Sequence, residues 1–323
     1  MSTTLALVDW DDPDAARLRT AQQDELRDLY GEDDIGHAMT GESILAMVLL
    51  RVDGEPVACG AIRDASDEGL GDGVGEIKRM FVAPAARGRG YSRAVLTELE
   101  RIATDRGLTR LVLETGVLQA QAIGLYLSAG YHSMDNFGEY ATETSSRCFT
   151  KDLHTQPRDR RTTPRPPIEL TRVPWDDPDA TALRYAFHLD GSTRYPEFAD
   201  VGPYEEFDAR NGIGILSTVL ARIDGRAVGC ASLRATGDGF PEGSGELKKV
   251  WVADEARGTG VARALLAAIE DDARAHGLTS VVLQTGIRQP EAVTLYRTAG
   301  YRPVPPFAPY ADDFLSLCFA KDV

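Results

Sequence analysis

Two short loops carry the residue pattern with the most chemical content. Arg87-Gly88-Arg89-Gly90-Tyr91-Ser92 joins a strand-like run to a helix-like one, and it returns as Arg257-Gly258-Thr259-Gly260-Val261-Ala262. Glycines let the backbone turn tightly and approach a ligand closely. The unpaired amides of the loop and first helical turn point outward, where the helix dipole favours an anion. Such a loop can cradle a diphosphate, or it can be a plain tight turn. Its recurrence between the same flanking elements favours binding. It is neither a P-loop, lacking Gly-Lys-Ser/Thr, nor a Gly-x-Gly-x-x-Gly dinucleotide fingerprint.

The loops belong to a long repeat. Residues 76–90 return as 246–260 with eight of fifteen positions identical, at an offset of 170. The same offset relates Thr115-Gly116 to Thr285-Gly286, Gly130-Tyr131 to Gly300-Tyr301, and Cys148 to Cys318. Trp10-Asp11-Asp12-Pro13 and Trp175-Asp176-Asp177-Pro178 lie 165 apart, so the second copy gains about five residues before its core. Two copies of this size are two domains rather than a solenoid. We expect a first domain over 1–153, a linker over 154–168 that carries four prolines, and a second domain over 169–323.

Each copy reads in the same order. Asp12-Pro13 starts a helix. A hairpin turns at Asp53-Gly54, or Asp224-Gly225 in the second copy. A strand over 76–82 leads to the glycine loop and then to a helix from Ser92 to about Arg106. Val95, Leu96, Leu99, Ile102 and Ala103 share one face of that helix. A short strand over 111–113, a helix over 119–129 closed by Gly130, and a strand over 146–151 complete the copy. The order predicts an α/β class fold, a mixed sheet with helices on both faces.

Composition sets the outer limits. Charged residues are 26% and hydrophobic ones 43% of the 323, as in ordinary globular proteins. A net charge of −15 argues against nucleic acid or an anionic membrane as the main partner and is compatible with a cationic amine substrate or with simple solubility. No leader and no membrane-length apolar run is visible, so a cytoplasmic location is expected. Cys59, Cys148, Cys230 and Cys318 sit in apolar strand-like runs and read as buried thiols. The five histidines lack repeat partners, and no metal site is expected.

Both halves resemble the GNAT superfamily of acyl-CoA-dependent N-acetyltransferases, over roughly 140 residues each. The hallmark Arg/Gln-x-x-Gly-x-Gly/Ala is met by Arg87-x-x-Gly90-x-Ser92 and Arg257-x-x-Gly260-x-Ala262, with Ser92 a slight departure. The resemblance implies that the amides of Arg87, Gly88, Arg89, Gly90, Tyr91 and Ser92, and of Arg257, Gly258, Thr259, Gly260, Val261 and Ala262, bind the pyrophosphate of acetyl-CoA. It implies that Phe81-Val82 and Trp251-Val252 run beside the pantetheine arm like an added strand. A strand amide near Val82 or Val252 would hold the oxyanion.

The resemblance makes Tyr126 and Tyr296 the general acids that protonate the leaving thiolate, a role that suits a phenol; packing tyrosines are the alternative. Glu76 and Glu246 are candidate general bases or members of a structural ion pair with Lys78 and Lys248, which share their strand face. Glu114 is a rival base in the first half only, since Gln284 replaces it in the second. Tyr140 and Tyr310, in the loop before the last strand, are candidates for acceptor binding or for loop packing. The acceptor wall is expected over 22–40 and 190–211, where the copies share little; it includes Glu25, Asp33 and Asp34 in the first and Glu197, Asp200, Glu205 and Glu206 in the second.

The implied protein is a tandem acetyltransferase acting on a primary amine of a small molecule by direct attack in a ternary complex, as a monomer (a fused pseudo-dimer) or a homodimer. The second half, closer to the common pattern after Gln284, is expected to be the active one. An acyl-CoA-binding sensor and an acetyltransferase acting on protein amines are the rival readings.

Overall fold

The computed structural model describes residues 2–31, 39–154 and 166–323. Asp33, Asp34 and most of the expected linker lie outside these residues. The chain divides into two compact units, Met1–Arg158 and Asp159–Val323.

The first unit begins with β1 (Thr3–Val8) and α1 (Pro13–Tyr30). Asp12 caps α1, its carboxylate accepting from the amides of Asp14 and Ala15 at 2.9 and 3.0 Å, and Pro13 spends no amide in the first turn. Gly31 ends the helix in the left-handed region at φ 76°. β2 (Ile44–Val52) and β3 (Glu55–Asp64) form a hairpin whose turn residues, Asp53 and Gly54, have φ 49° and 91°. This is the primed turn that the Asp-Gly pair predicts. There follow β4 (Val74–Val82), α2 (Tyr91–Asp105), β5 (Arg110–Gly116), α3 (Ala120–Ser128), β6 (His132–Met134) and β7 (Ser146–Asp152).

The seven strands form one sheet in the order β1-β2-β3-β4-β5-β7-β6. Among the described residues of this unit only β4 and β5 run parallel. α1 covers one face, packing Ala15 and Leu18 on Leu49, Cys59 and Phe81. α2 covers the other, and it buries Val95, Leu96, Leu99, Ile102 and Ala103, the face expected from their spacing.

The second unit repeats this plan with β8 (Glu169–Val173), α4 (Pro178–Arg194), α5 (Tyr204–Asn211), β9 (Ile215–Ile223), β10 (Arg226–Ala235), β11 (Ser244–Val252), α6 (Val261–Ala275), β12 (Ser280–Gly286), α7 (Pro290–Thr298), β13 (Arg302–Val304) and β14 (Ser316–Asp322). Its sheet runs β13-β14-β12-β11-β10-β9-β8. The short edge strands β1, β6, β8 and β13, and helix α5, escaped the sequence pattern.

One feature of each sheet makes a cleft. β4 pairs with β5 only over Val74–Ile77, and β11 pairs with β12 only over Ser244–Glu246. Just beyond, Arg79 and Lys249 take φ 56° and 54°, and the register with the neighbouring strand slips. A bulge of this kind bends and twists its strand. The last residues of β4 and β11 therefore lose their parallel partner and leave a wedge in the sheet.

Candidate active-site clefts

In the first unit a cavity of about 540 Å³ fills the wedge. Its walls are β4 from Ile77 to Val82, the glycine loop, α1 at Gln22, Glu25 and Leu26, β5 at Glu114 and Thr115, and α3 at Tyr126. The cavity of the second unit, about 330 Å³, is bounded by Val250–Val252, the glycine loop, Phe187 and Asp190 of α4, and Tyr296.

At the loop, Gly88 and Gly90 have φ 76° and 81°, and Gly258 and Gly260 have φ 79° and 103°. A Cβ on Gly88, Gly90 or Gly258 would meet no atom within 4 Å, so that side of the loop is open. The first helical bonds run from Ala94 to the Gly90 carbonyl and from Ala264 to the Gly260 carbonyl. The preceding amides, at Tyr91 and Ser92 or Val261 and Ala262, therefore have no intrahelical acceptor. This fits the diphosphate of a nucleotide thioester. The Arg87 and Arg257 side chains turn back, their Nε donating to the carbonyls of Val82 (3.0 Å) and Val252 (3.2 Å), and so brace the loop on the strand end. Arg89 is exposed and Thr259 donates to the Ala256 carbonyl at 2.6 Å. Phe81 is buried behind the loop with the Arg87 guanidinium over its ring; Trp251 and Arg257 repeat the stack.

Tyr126 and Tyr296 are each nearly buried, at 5% and 6% exposure, and both line their cavities. Tyr131 and Phe149 hold the first ring at 5.9 and 6.5 Å; Tyr301 and Phe319 hold the second at 5.9 and 6.3 Å. Burial pushes both phenols well above their usual range, and Glu114 adds to this for Tyr126. Each therefore stays protonated throughout the neutral range.

Glu76 and Glu246 have no exposed surface, and neither is among the described residues lining these two cavities. Arg63 Nε donates to Glu76 at 2.5 Å, and Lys78 Nζ lies 3.4 Å from its other oxygen. In the second unit Arg234 donates to Glu246, Lys248 Nζ lies 3.3 Å away, and the Tyr310 hydroxyl donates to the carboxylate at 2.5 Å. Lys78 donates to the Tyr140 hydroxyl, and Lys248 to that of Tyr310 at 2.7 Å. Burial opposes the Arg63 charge, yet Glu76 and Glu68 outweigh it and raise its pKa. Tyr140 is 2% exposed and edge-on to Phe137.

The sequence reading missed one repeated pair. Tyr30, closing α1, and Tyr195, closing α4, lie 165 apart, the offset of the two Trp-Asp-Asp-Pro motifs. That offset was the available signal. The Tyr30 hydroxyl accepts from the Leu118 amide at 3.1 Å, and that of Tyr195 from the Arg288 amide at 2.8 Å. A Cβ on Gly116 or Gly286 would come within 2.0 Å of these hydroxyls. The glycine of each repeated Thr-Gly is thus explained by the tyrosine lying on it.

All four cysteines are buried and free. Burial raises the thiols of Cys59 and Cys230 to about 12, and that of Cys148 further. Thiolate is then scarce at neutral pH. Among the described residues no cluster suits a metal ion, and no helix is long and apolar enough to cross a membrane.

A wedge between parallel strands, with a glycine loop at the next helix start and a buried tyrosine opposite, defines an acyl-CoA N-acyltransferase domain, here present twice. A family model described as "Acetyltransferase (GNAT) family" matches residues 6–131 and again 182–301. The chain belongs to this family, whose members use acetyl-CoA or another acyl-CoA.

An IAA acetyltransferase of Azospirillum brasilense is 42% identical over 103 residues, 32% of this chain and 65% of that protein. N-acetyltransferase 8 of Mus musculus is 36% identical over 78 residues, 24% of this chain and 34% of its own length. The chain thus spans less than two thirds of these curated relatives. Among solved structures, a PaiA N-acetyltransferase of Thermoplasma acidophilum in complex with coenzyme A is 14% identical, with a TM-score of 0.37 over 49% of this chain and 99% of that one.

Proposed function

We propose that the protein transfers acetyl from acetyl-CoA to a primary amine of a small molecule, by direct attack in a ternary complex. The observation that carries this reading is the continuity of the first cavity, from the open amides of the glycine loop, along the unpaired edge of β4, to Tyr126 and on to Glu114. The pyrophosphate would rest on the loop amides and the pantetheine arm beside Lys78–Val82, filling the place of the missing strand. A β4 amide near Val82 would stabilise the oxyanion as the amine nitrogen bonds to the thioester carbon. When the C–S bond breaks, its electron pair leaves with sulfur, and the Tyr126 hydroxyl supplies the proton. Tyr296 has the equivalent position in the second cleft.

Direct attack, rather than an acyl-enzyme, is supported by the buried, protonated thiols. A small acceptor is supported by Glu25 and Glu114 on the wall of a cavity of about 540 Å³. Arg63 and Lys78 hold Glu76 as an ion-pair centre, and Tyr140 packs against Lys78. The test is acetyl-CoA consumption by the full chain across a panel of primary amines, with mass detection of product. A product 42 Da heavier than one of the amines is expected, roughly the mass of an acetyl group replacing hydrogen. Consumption of acetyl-CoA with none of the amines would overturn the reading.

A further inference from the structure

The chain contains five lysines, at 78, 151, 248, 249 and 321. Four of them have a glutamate beside the ammonium. Lys151 donates to Glu100 at 2.8 Å and Lys321 to Glu270 at 2.7 Å. Lys78 lies 3.4 Å from Glu76, and Lys248 lies 3.3 Å from Glu246. Among the described residues, no carboxylate lies within ion-pair distance of Lys249. Its Nζ sits instead over two rings, 4.8 Å from the centroid of Phe207 in α5 and 5.7 Å from that of Phe187 in α4. Rings bring no counter-charge. Asp208, next to Phe207, is already bonded twice by Arg184, at 2.9 and 2.6 Å.

Two features set this amine beside the second cleft. Lys249 occupies the bulge of β11, at φ 54°, directly before the cavity-wall residues Val250, Trp251 and Val252. A bulge re-aims a side chain, and this one is turned to α4 and α5. Phe187 is shared, since its ring lies against the Lys249 ammonium and also lines the cavity. Burial, with Lys248 next, lowers the Lys249 pKa to about 8; Asp208 opposes this, and Arg184 and Arg234 add to it. Neutral, nucleophilic amine is then present near neutral pH. At the matching place in the first unit stands Arg79, whose guanidinium keeps its charge.

Resting on the acetyltransferase reading above, we propose that Lys249 is a self-acylation site: the second cleft transfers the acyl group of its own acyl-CoA to the Lys249 Nζ.

The ammonium first gives one proton to water. The neutral nitrogen bonds to the thioester carbon, and the C–S bond breaks. Sulfur keeps the electron pair and takes the Tyr296 proton. The second proton lost from nitrogen restores Tyr296 through solvent. Overall one ammonium and one thioester give one amide, one thiol and one released proton. The product removes a charge held between two rings and leaves a neutral amide in its place.

The test incubates the full chain with acetyl-CoA and no acceptor amine. Intact mass is followed with time, the modified lysines are mapped by digestion, and CoA binding is titrated in parallel. A gain of about 42 Da, one acetyl replacing one hydrogen, is expected on Lys249. Its rate per chain should not depend on protein concentration, as for transfer within one molecule. Tyr296→Phe should slow the modification by about tenfold. Lys249→Arg, which copies the first unit, should abolish it, and both variants should still bind CoA. An unmodified Lys249 in a chain that binds CoA overturns the inference and leaves the enzyme reading standing. So does acetylation of the other lysines at a comparable rate, or an unchanged rate in Tyr296→Phe. A wild type that neither binds CoA nor acetylates any amine would instead overturn that reading, and this inference with it.

Discussion

Tyr126 illustrates how burial suits a residue to its part. A phenol ringed by Tyr131 and Phe149 keeps its proton, and in the proposed reaction it would give that proton to the leaving thiolate. Tyr126→Phe should lower kcat by about 10- to 100-fold while the KM for acetyl-CoA changes little, since only the transition state loses a bond. Steady-state kinetics on the amine found active would check this.

Lys249 gives a second prediction at this scale. Burial, with Lys248 next in importance, lowers its pKa from 10.5 to about 8; Asp208 opposes the shift, and Arg184 and Arg234 add to it. Between those two pH values the unfolded chain binds the extra proton and the folded chain does not. Stability from this group therefore rises with pH across the window, and the lysine costs most below pH 8. Lys249→Met should stabilise the second unit by on the order of 1–3 kcal/mol at pH 7, and the gain should shrink towards pH 10.5. Urea unfolding of both proteins at several pH values would read the difference.

Among the elements, the glycine loops and the Thr-Gly turns make separate demands on glycine. Gly90 needs its conformation, φ 81°, and has open space beside it. Gly90→Ala should therefore cost about 1–2 kcal/mol in the loop conformation itself and weaken CoA at the first site by about tenfold, seen calorimetrically as two unequal sites. Gly116 instead needs space, because the Tyr30 hydroxyl would lie 2.0 Å from an added Cβ. Gly116→Ala should lower stability by about 1–3 kcal/mol and detach the end of α1 from the β5–α3 turn, measured as a lower Tm.

The same contrast explains what was legible in the sequence. The buried face of α2, the Asp-Gly hairpins and the caps at Asp12 and Asp177 are local patterns, and they read directly. The three-residue strands β6 and β13 are too short for a period. Helix α5 lies where the two copies share little sequence, and an ion pair across 24 residues, Arg184 with Asp208, helps hold it. Glu76 was recognisable as important, but only the fold shows that Arg63, 13 residues earlier, already occupies it.

For the whole molecule, duplication has kept the loop, the wedge and the buried tyrosine in both units, while other residues lining the two cavities differ. On the proposed reading each glycine loop receives the diphosphate of a CoA thioester. Calorimetric titration of CoA into the full-length protein tests this most directly. Two equivalents bound per chain are expected, falling to one when Gly90→Arg blocks the first loop. Absence of binding in the wild type, or an unchanged stoichiometry in the variant, would contradict it.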